Sequence, residues 1–231
     1  MTSLVECGTH VLFASVLDGC NVSEGPQTLP LPGRLEWGQL CLADRAFFSF
    51  NRWAVAQGNG AQLLLRVKVG LKLPCMKRLS DGSWLTTLHP RPARRGQPGN
   101  GTVVRVIEYS LPGIPGTEPV YRLVTTLLDA ERFPATELAA LYHERWEAES
   151  ALDELKTHLR GGHAILRSQR PDLVLQEVYA LLLTHFALRR LMHEAALHAQ
   201  RDPDTLSLIH TVRVVRRTLP HFAAFSPCQA P

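Results

Sequence analysis

Residues Leu141–Leu159 read LYHERWEAESALDELKTHL, and their spacing decides how the rest of the chain is read. Pro134 stands just ahead, Thr136 is placed to cap, and Gly161-Gly162 closes the run, so a helix of roughly 25 residues is expected. At roughly 100° per residue, Tyr142, Arg145, Glu149 and Lys156 fall within an arc of about 60°. Leu141, Ala148, Leu152, Leu155 and Leu159 form a neighbouring apolar stripe. The helix is therefore amphipathic, with a phenol, a guanidinium, a carboxylate and an ammonium along the edge of its buried face. A carboxylate between two cations can hold a metal ion while the cations and the phenol grip phosphate. Charges at helical spacing more often make a solvated face with weak ion pairs, and Glu144, Glu147, Asp153 and Glu154 fit that plainer reading.

A second stretch, LCLADRAFFSFNRW over residues 40–53, places Asp44 at the end of a short apolar run that reads as a buried strand. Carboxylates at the C-terminal ends of strands lie where open α/β sheets put their sites. A helical pattern resumes from Phe50 to Gly58. Taken alone, Asp-Arg after a strand is an ordinary strand end or helix cap.

The register Y-x2-R-x3-E-x6-K, with Asp44-Arg45 upstream, resembles the signature of the DDE transposases of bacterial cut-and-paste insertion sequences. The resemblance is to the subgroup with a β-rich insertion before the catalytic glutamate. It implies that Asp44 and Glu149 are catalytic, metal-binding carboxylates and that Tyr142, Arg145 and Lys156 contact DNA phosphates. Ala46 stands where the family usually has glycine; a positive φ there would strain alanine. The resemblance further implies an α/β, ribonuclease-H-like catalytic core with an inserted β-rich subdomain and C-terminal helices. Its chemistry would be strand cleavage and strand transfer on double-stranded DNA, covering transposon ends and target. Mg²⁺ or Mn²⁺ would serve a two-metal phosphoryl transfer, and a homodimer would assemble on the DNA.

One departure matters more than the matches. In the resembled family the first catalytic Asp lies on a strand well upstream of the segment resembled by Leu4–Val16. The core is therefore expected to lack its first strands, and the chain to be truncated and inactive alone. Asp18 is a weak substitute that fits a β-turn better. The alternative is a non-enzymatic remnant, a DNA-binding or dimerising inhibitor of full-length transposase.

Composition sets wide bounds. The 231 residues carry a formal charge of +4, with 45% hydrophobic and 20% charged residues, which fits an ordinary folded protein and permits a nucleic-acid partner. The five cysteines form no C-x-x-C pair, and the histidines have no zinc spacing, so neither a disulfide framework nor a zinc site is expected. No signal-peptide pattern or membrane span is read, and the expected location is the cytoplasm, associated with the nucleoid.

Three regions are expected: 1–70 as the first part of the core, 71–128 as the β-rich insertion, and 129–231 as the catalytic helix and C-terminal helices. Strands are read at Leu4–Val16, Gln62–Val69, Thr102–Tyr109 and Tyr121–Leu128, with turns at Asp18-Gly19, Asp81-Gly82, Pro98–Gly101 and Pro112-Gly113. Arg91, Arg94 and Arg95 fall in a loop of the insertion, either solvated or touching DNA backbone. Trp84 reads as hairpin packing, with stacking on a flipped base as the sharper option. Asp172–His198 reads as a core helix. Arg213, Arg216 and Arg217 share one side of a terminal helix.

Overall fold

The computed structural model describes residues 1–19, 28–90, 101–113, 115, 118–160 and 166–219. It is a mixed α/β chain, as expected at that level. Among the described residues the strands are β1 (Thr2–Val5), β2 (Leu12–Val16), β3 (Leu40–Ala43), β4 (Gln62–Val67), β5 (Lys77–Arg78), β6 (Trp84–Leu88), β7 (Thr102–Tyr109) and β8 (Tyr121–Thr125). The α-helices are α1 (Phe50–Gly58), α2 (Ala135–His143), α3 (Glu147–Asp153), α4 (Pro171–Ala199) and α5 (Leu208–Thr218). The chain divides into two units, Met1–Ser3 with Ala14–Arg145, and Leu4–Phe13 with Trp146–Pro231.

In the first unit a six-stranded sheet runs in the order β3-β4-β8-β7-β6-β5. β3 and β4 are parallel and the other pairs antiparallel. Parallel neighbours need a crossover, and α1 supplies it. Its Ser49 side chain accepts the Arg52 amide at 3.3 Å, satisfying a donor of the first turn. Along β4, Leu63, Leu65 and Val67 point one way and Leu64 the other, and all are buried. Both faces of this central strand are thus covered. Leu64, Ile107, Leu123, Leu138 and Tyr142 form one core cluster, which packs α2 on the sheet. The strands of residues 71–128 are hydrogen-bonded into the same sheet as β3 and β4.

A buried cation lies on the same face of this sheet as Ile107. Arg105 on β7 has 0% of its surface exposed. It donates to Ser83 Oγ at 2.8 Å, to the Asp81 carboxylate, and to the carbonyls of Leu127, Asp129 and Phe133. Asp81 also accepts the Ala135 amide at 2.9 Å. The expected Thr136 cap is therefore corrected: Pro134 occupies the cap position without a side-chain bond, and a carboxylate 54 residues earlier in sequence takes its place.

In the second unit α4 packs on α5 through Leu188, Met192, Leu208 and Val212. Only one face of α4 is buried; Leu175, Tyr179, Leu183 and Phe186 are exposed. The reading of Asp172–His198 as a core helix holds for that face alone.

Two further expectations change. Leu4–Val16 is a hairpin, not one strand: Glu6 accepts the Gly8 amide at 3.2 Å and the Thr9 hydroxyl, and His10 adopts φ 57°. The single motif helix is a relay of α2, a 3₁₀ turn at Glu144–Trp146, α3, and a π segment at Glu154–Leu159. A constant 100° per residue does not carry from Tyr142 to Lys156 through such changes. The strand at Thr102–Tyr109 is as expected, and those begun at Gln62 and Tyr121 end earlier, at Val67 and Thr125.

Candidate active site

Register, rather than sequence proximity, assembles the first half of the site. Ala43 pairs with Leu65, so Asp44, one residue past the end of β3, comes beside Arg66 on β4. Arg66 is opposite Leu123, placing Tyr121 diagonally beside it, and Tyr121 pairs with Tyr109 on the next strand. The result is a row across four strands: Asp44, Arg66, Tyr121, Tyr109.

Contacts within that row are specific. Asp44 Oδ1 accepts the Arg45 amide at 2.7 Å and lies 3.8 Å from an Arg66 nitrogen. The Arg66 guanidinium sits 4.6 Å from the centroid of the Tyr121 ring, which stacks on Tyr109 at 5.2 Å. Burial pushes the Tyr109 phenol up to about 12, and its hydroxyl has no hydrogen-bond partner among the described residues. Glu118 joins the row from the segment before β8. One carboxylate oxygen accepts from Arg45 at 3.0 Å and the other from Arg66 at 2.6 Å.

Tyr142 brings α2 to the same place. Its side chain is core, with 5% exposed, and its hydroxyl donates to the Ala43 carbonyl at 3.4 Å, one residue before Asp44. Burial first, then the Asp44 charge, raise this phenol far above its ordinary value, so it acts as a neutral donor. The Arg145 guanidinium lies 5.9 Å from the Tyr142 ring centroid. Of the sequence-derived residues, Asp44, Tyr142 and Arg145 thus meet in the first unit. The 44–47 turn is closed by the Phe47 amide on the Asp44 carbonyl at 2.9 Å. Ala46 is not among the described positive-φ residues, so its replacement of glycine costs no backbone strain.

Glu149 and Lys156 belong to the second unit, exposed on α3 and on the π segment. The residues between them are anchored by an ionic knot. Glu154 accepts from Arg189 and from His185, the latter at 3.3 Å. His10 bonds Glu147 at 2.7 Å, meets Arg189, and lies 3.6 Å from both Glu154 and Asp204. His10, His185 and Arg189 are buried. Burial works against the Glu154 charge, but bonds from His10, His185 and Arg189 outweigh it and hold that carboxyl well below the usual range. The bond to Glu154 raises His10 above 6.5, against burial and the Arg189 charge.

These directions fix a pH profile. The His10 contribution is complete below about 6.5 and is lost as pH rises through the raised folded value. That of Glu154 is complete above about 4.5 and is lost as pH falls through its depressed folded value. The second unit is therefore expected to be most resistant to urea between about pH 4.5 and 6.5. In His10→Asn, which tolerates a left-handed backbone, the alkaline decline should flatten; an unchanged decline would assign it elsewhere.

The remaining candidates resolve more plainly. Trp84 packs in its hairpin, its indole donating to the Leu73 carbonyl at 3.2 Å. Asp18 is exposed and accepts the Gly19 amide. Arg213, Arg216 and Arg217 are exposed on α5. Arg91, Arg94 and Arg95 lie outside the described residues. No helix among the described residues is long and apolar enough to cross a membrane. Sequence reasoning missed Arg66, Glu118, Tyr109 and Tyr121, because only strand register unites them, and it took Glu147 and Glu154 for solvent-side charges.

The donors do not amount to a metal centre by themselves. Among the described residues no three His, Cys, Asp or Glu side chains gather to hold a cation, and Asp44 has the Arg66 guanidinium 3.8 Å away. Carboxylate, phenol and guanidinium groups nonetheless gather at a strand end, and guanidinium groups are of the chemistry that can bind phosphate.

A family model described as the transposase DDE domain matches residues 1–186, which contain all five sequence-derived site residues. The chain belongs to that family of enzymes. It is similar to the transposase InsG for insertion sequence element IS4 of Escherichia coli strain K12, with 29% identity over 238 aligned residues. That alignment takes in 100% of this chain and 52% of the relative, so the chain spans about half the length of the curated relative it matches.

Proposed function

We propose that this chain carries part of the catalytic centre of an insertion-sequence transposase, on a ribonuclease-H-like core into which residues 71–128 are inserted. The observation that carries this reading is the Tyr142 bond to Ala43, which seats the start of the motif helix against the strand end bearing Asp44. Asp44 and Glu149 are the carboxylates assigned to a divalent cation, of the kind that polarises phosphodiesters in this chemistry. The described donors fall short of a full set of cation ligands. Arg145 grips phosphate as a fork and Lys156 as a point charge, while Tyr142, buried and bonded to Ala43, positions the helix rather than touching phosphate. Two copies on two DNA ends, acting in the nucleoid, complete the proposal.

The absence of a three-donor cluster among the described residues favours a second reading, a DNA-binding or dimerising inhibitor without catalysis. One experiment separates them. The purified chain is incubated with supercoiled plasmid carrying insertion-sequence ends, with Mg²⁺ or Mn²⁺. Nicking that disappears in Asp44→Asn and in Glu149→Gln, with DNA affinity kept, supports the enzyme. Binding without nicking supports the inhibitor, and neither binding nor nicking sinks both.

A further inference from the structure

We infer that Arg45 and Arg66 form a phosphodiester-binding fork beside Asp44, and that Glu118 is an internal anion filling this fork until a DNA phosphate displaces it. This rests on the proposed DNA chemistry and adds a subsite and its regulation.

Geometry and charge carry the inference. Glu118 offers one carboxylate oxygen to each arginine, at 3.0 and 2.6 Å, as the two non-bridging oxygens of a phosphodiester would. Arg66 is the fixed half of the fork, and Arg45, 46% exposed, is as open as Glu118. The Arg66 side chain is 14% exposed, held between Tyr121 and Asp44, whereas Glu118 is 40% exposed. Glu118 also borders an open surface cleft with Ser110, Pro112 and Pro119, so it has room to swing away. Asp44 and Glu118 together balance Arg45 and Arg66. Removing Glu118 leaves the patch one positive charge in excess, and a phosphodiester carries the single negative charge that restores balance. Exposed ion pairs hold weakly, whereas a polyanion binds arginines while releasing its own counterions. The exchange therefore runs toward DNA.

The test uses the full chain and fluorescence anisotropy with a short labelled duplex. At about 0.1 M NaCl, Glu118→Gln should tighten binding roughly three- to tenfold. In an Arg45→Ala/Arg66→Gln background the same change should give no gain, because the occupied fork is gone. A gain that persists there reflects long-range repulsion alone and overturns the proposal, as does no gain in the parent. A dinucleotide is then titrated into Glu118→Gln while the arginine Nε–H resonances are followed by NMR. Shifts confined to Arg45 and Arg66 support the fork even if the duplex fails to bind, which would defeat the transposase reading instead. Duplex binding insensitive to Glu118, with no dinucleotide shifts, defeats the fork and leaves the transposase reading standing.

Discussion

Replacing Arg105 by Ala is expected to destabilise the sheet-bearing unit by about 3–5 kcal/mol, the cost of taking the buried partner out of a hydrogen-bonded ionic network. Arg105 is wholly buried and satisfies Asp81, Ser83 and three carbonyls between residues 127 and 133. Burial draws the guanidinium below its ordinary value, yet an arginine stays charged at any working pH. The energetics follow Asp81: burial raises its carboxyl, but bonds from Ser83 and the Ala135 amide, with the Arg105 charge, hold it low. Without the guanidinium, Asp81 keeps Ser83 and the Ala135 amide but loses its counter-charge, and the three carbonyls lose their donor. Damage should spread to α2, because Asp81 also satisfies its first amide. Urea unfolding followed by the buried Trp53 measures the loss. Arg105→Lys restores charge but not the fork, so it should recover only part of it. Arg105→Met with Asp81→Asn should cost less than the two single changes summed. A loss under about 1 kcal/mol for Arg105→Ala would place the pair among dispensable ion pairs.

That network marks where sequence reading stops. β7 was legible because Thr102–Tyr109 is an apolar-alternating run between turn signals, and α1 because a helical pattern resumes from Phe50 to Gly58. The 7–10 turn carried no Asn-Gly or Pro signal, and His10 takes a left-handed φ that sequence assigns to glycine or asparagine. Within the site, Asp44, Tyr142 and Arg145 were found from spacing and resemblance. Arg66 and Glu118 were not, since a cation on a strand means nothing until its neighbours are known. The same holds for Glu147 and Glu154. Their alternation with Glu149 and Lys156 looks like surface charge in one dimension, while in the folded unit they are the anchored side.

Arg189→Ala carries the second large effect, about 3–5 kcal/mol of lost stability confined to the helical unit. Arg189 has 2% of its side chain exposed and binds both Glu154 and His10. Its loss leaves the Glu154 carboxylate, 15% exposed, with the His185 bond and with His10, whose charge is lost as pH rises. At pH 8 the deficit should therefore exceed that at pH 5.5, where a protonated His10 still compensates. Hydrogen exchange locates the damage: amides of the π segment and of α4 should lose protection, while those of β4 and β7 keep it. The π segment matters most, because a wide turn is held here by Glu154 at its start and Leu155 buried beside it. Freed of the knot, 154–159 should relax toward ordinary α geometry and shift the position of Lys156 along the helix. Glu154→Met paired with Arg189→Met removes both charges together and should be less costly than Arg189→Ala alone. Equal losses at pH 5.5 and 8, or loss of protection in β4, would show that Arg189 contributes through packing rather than through charge.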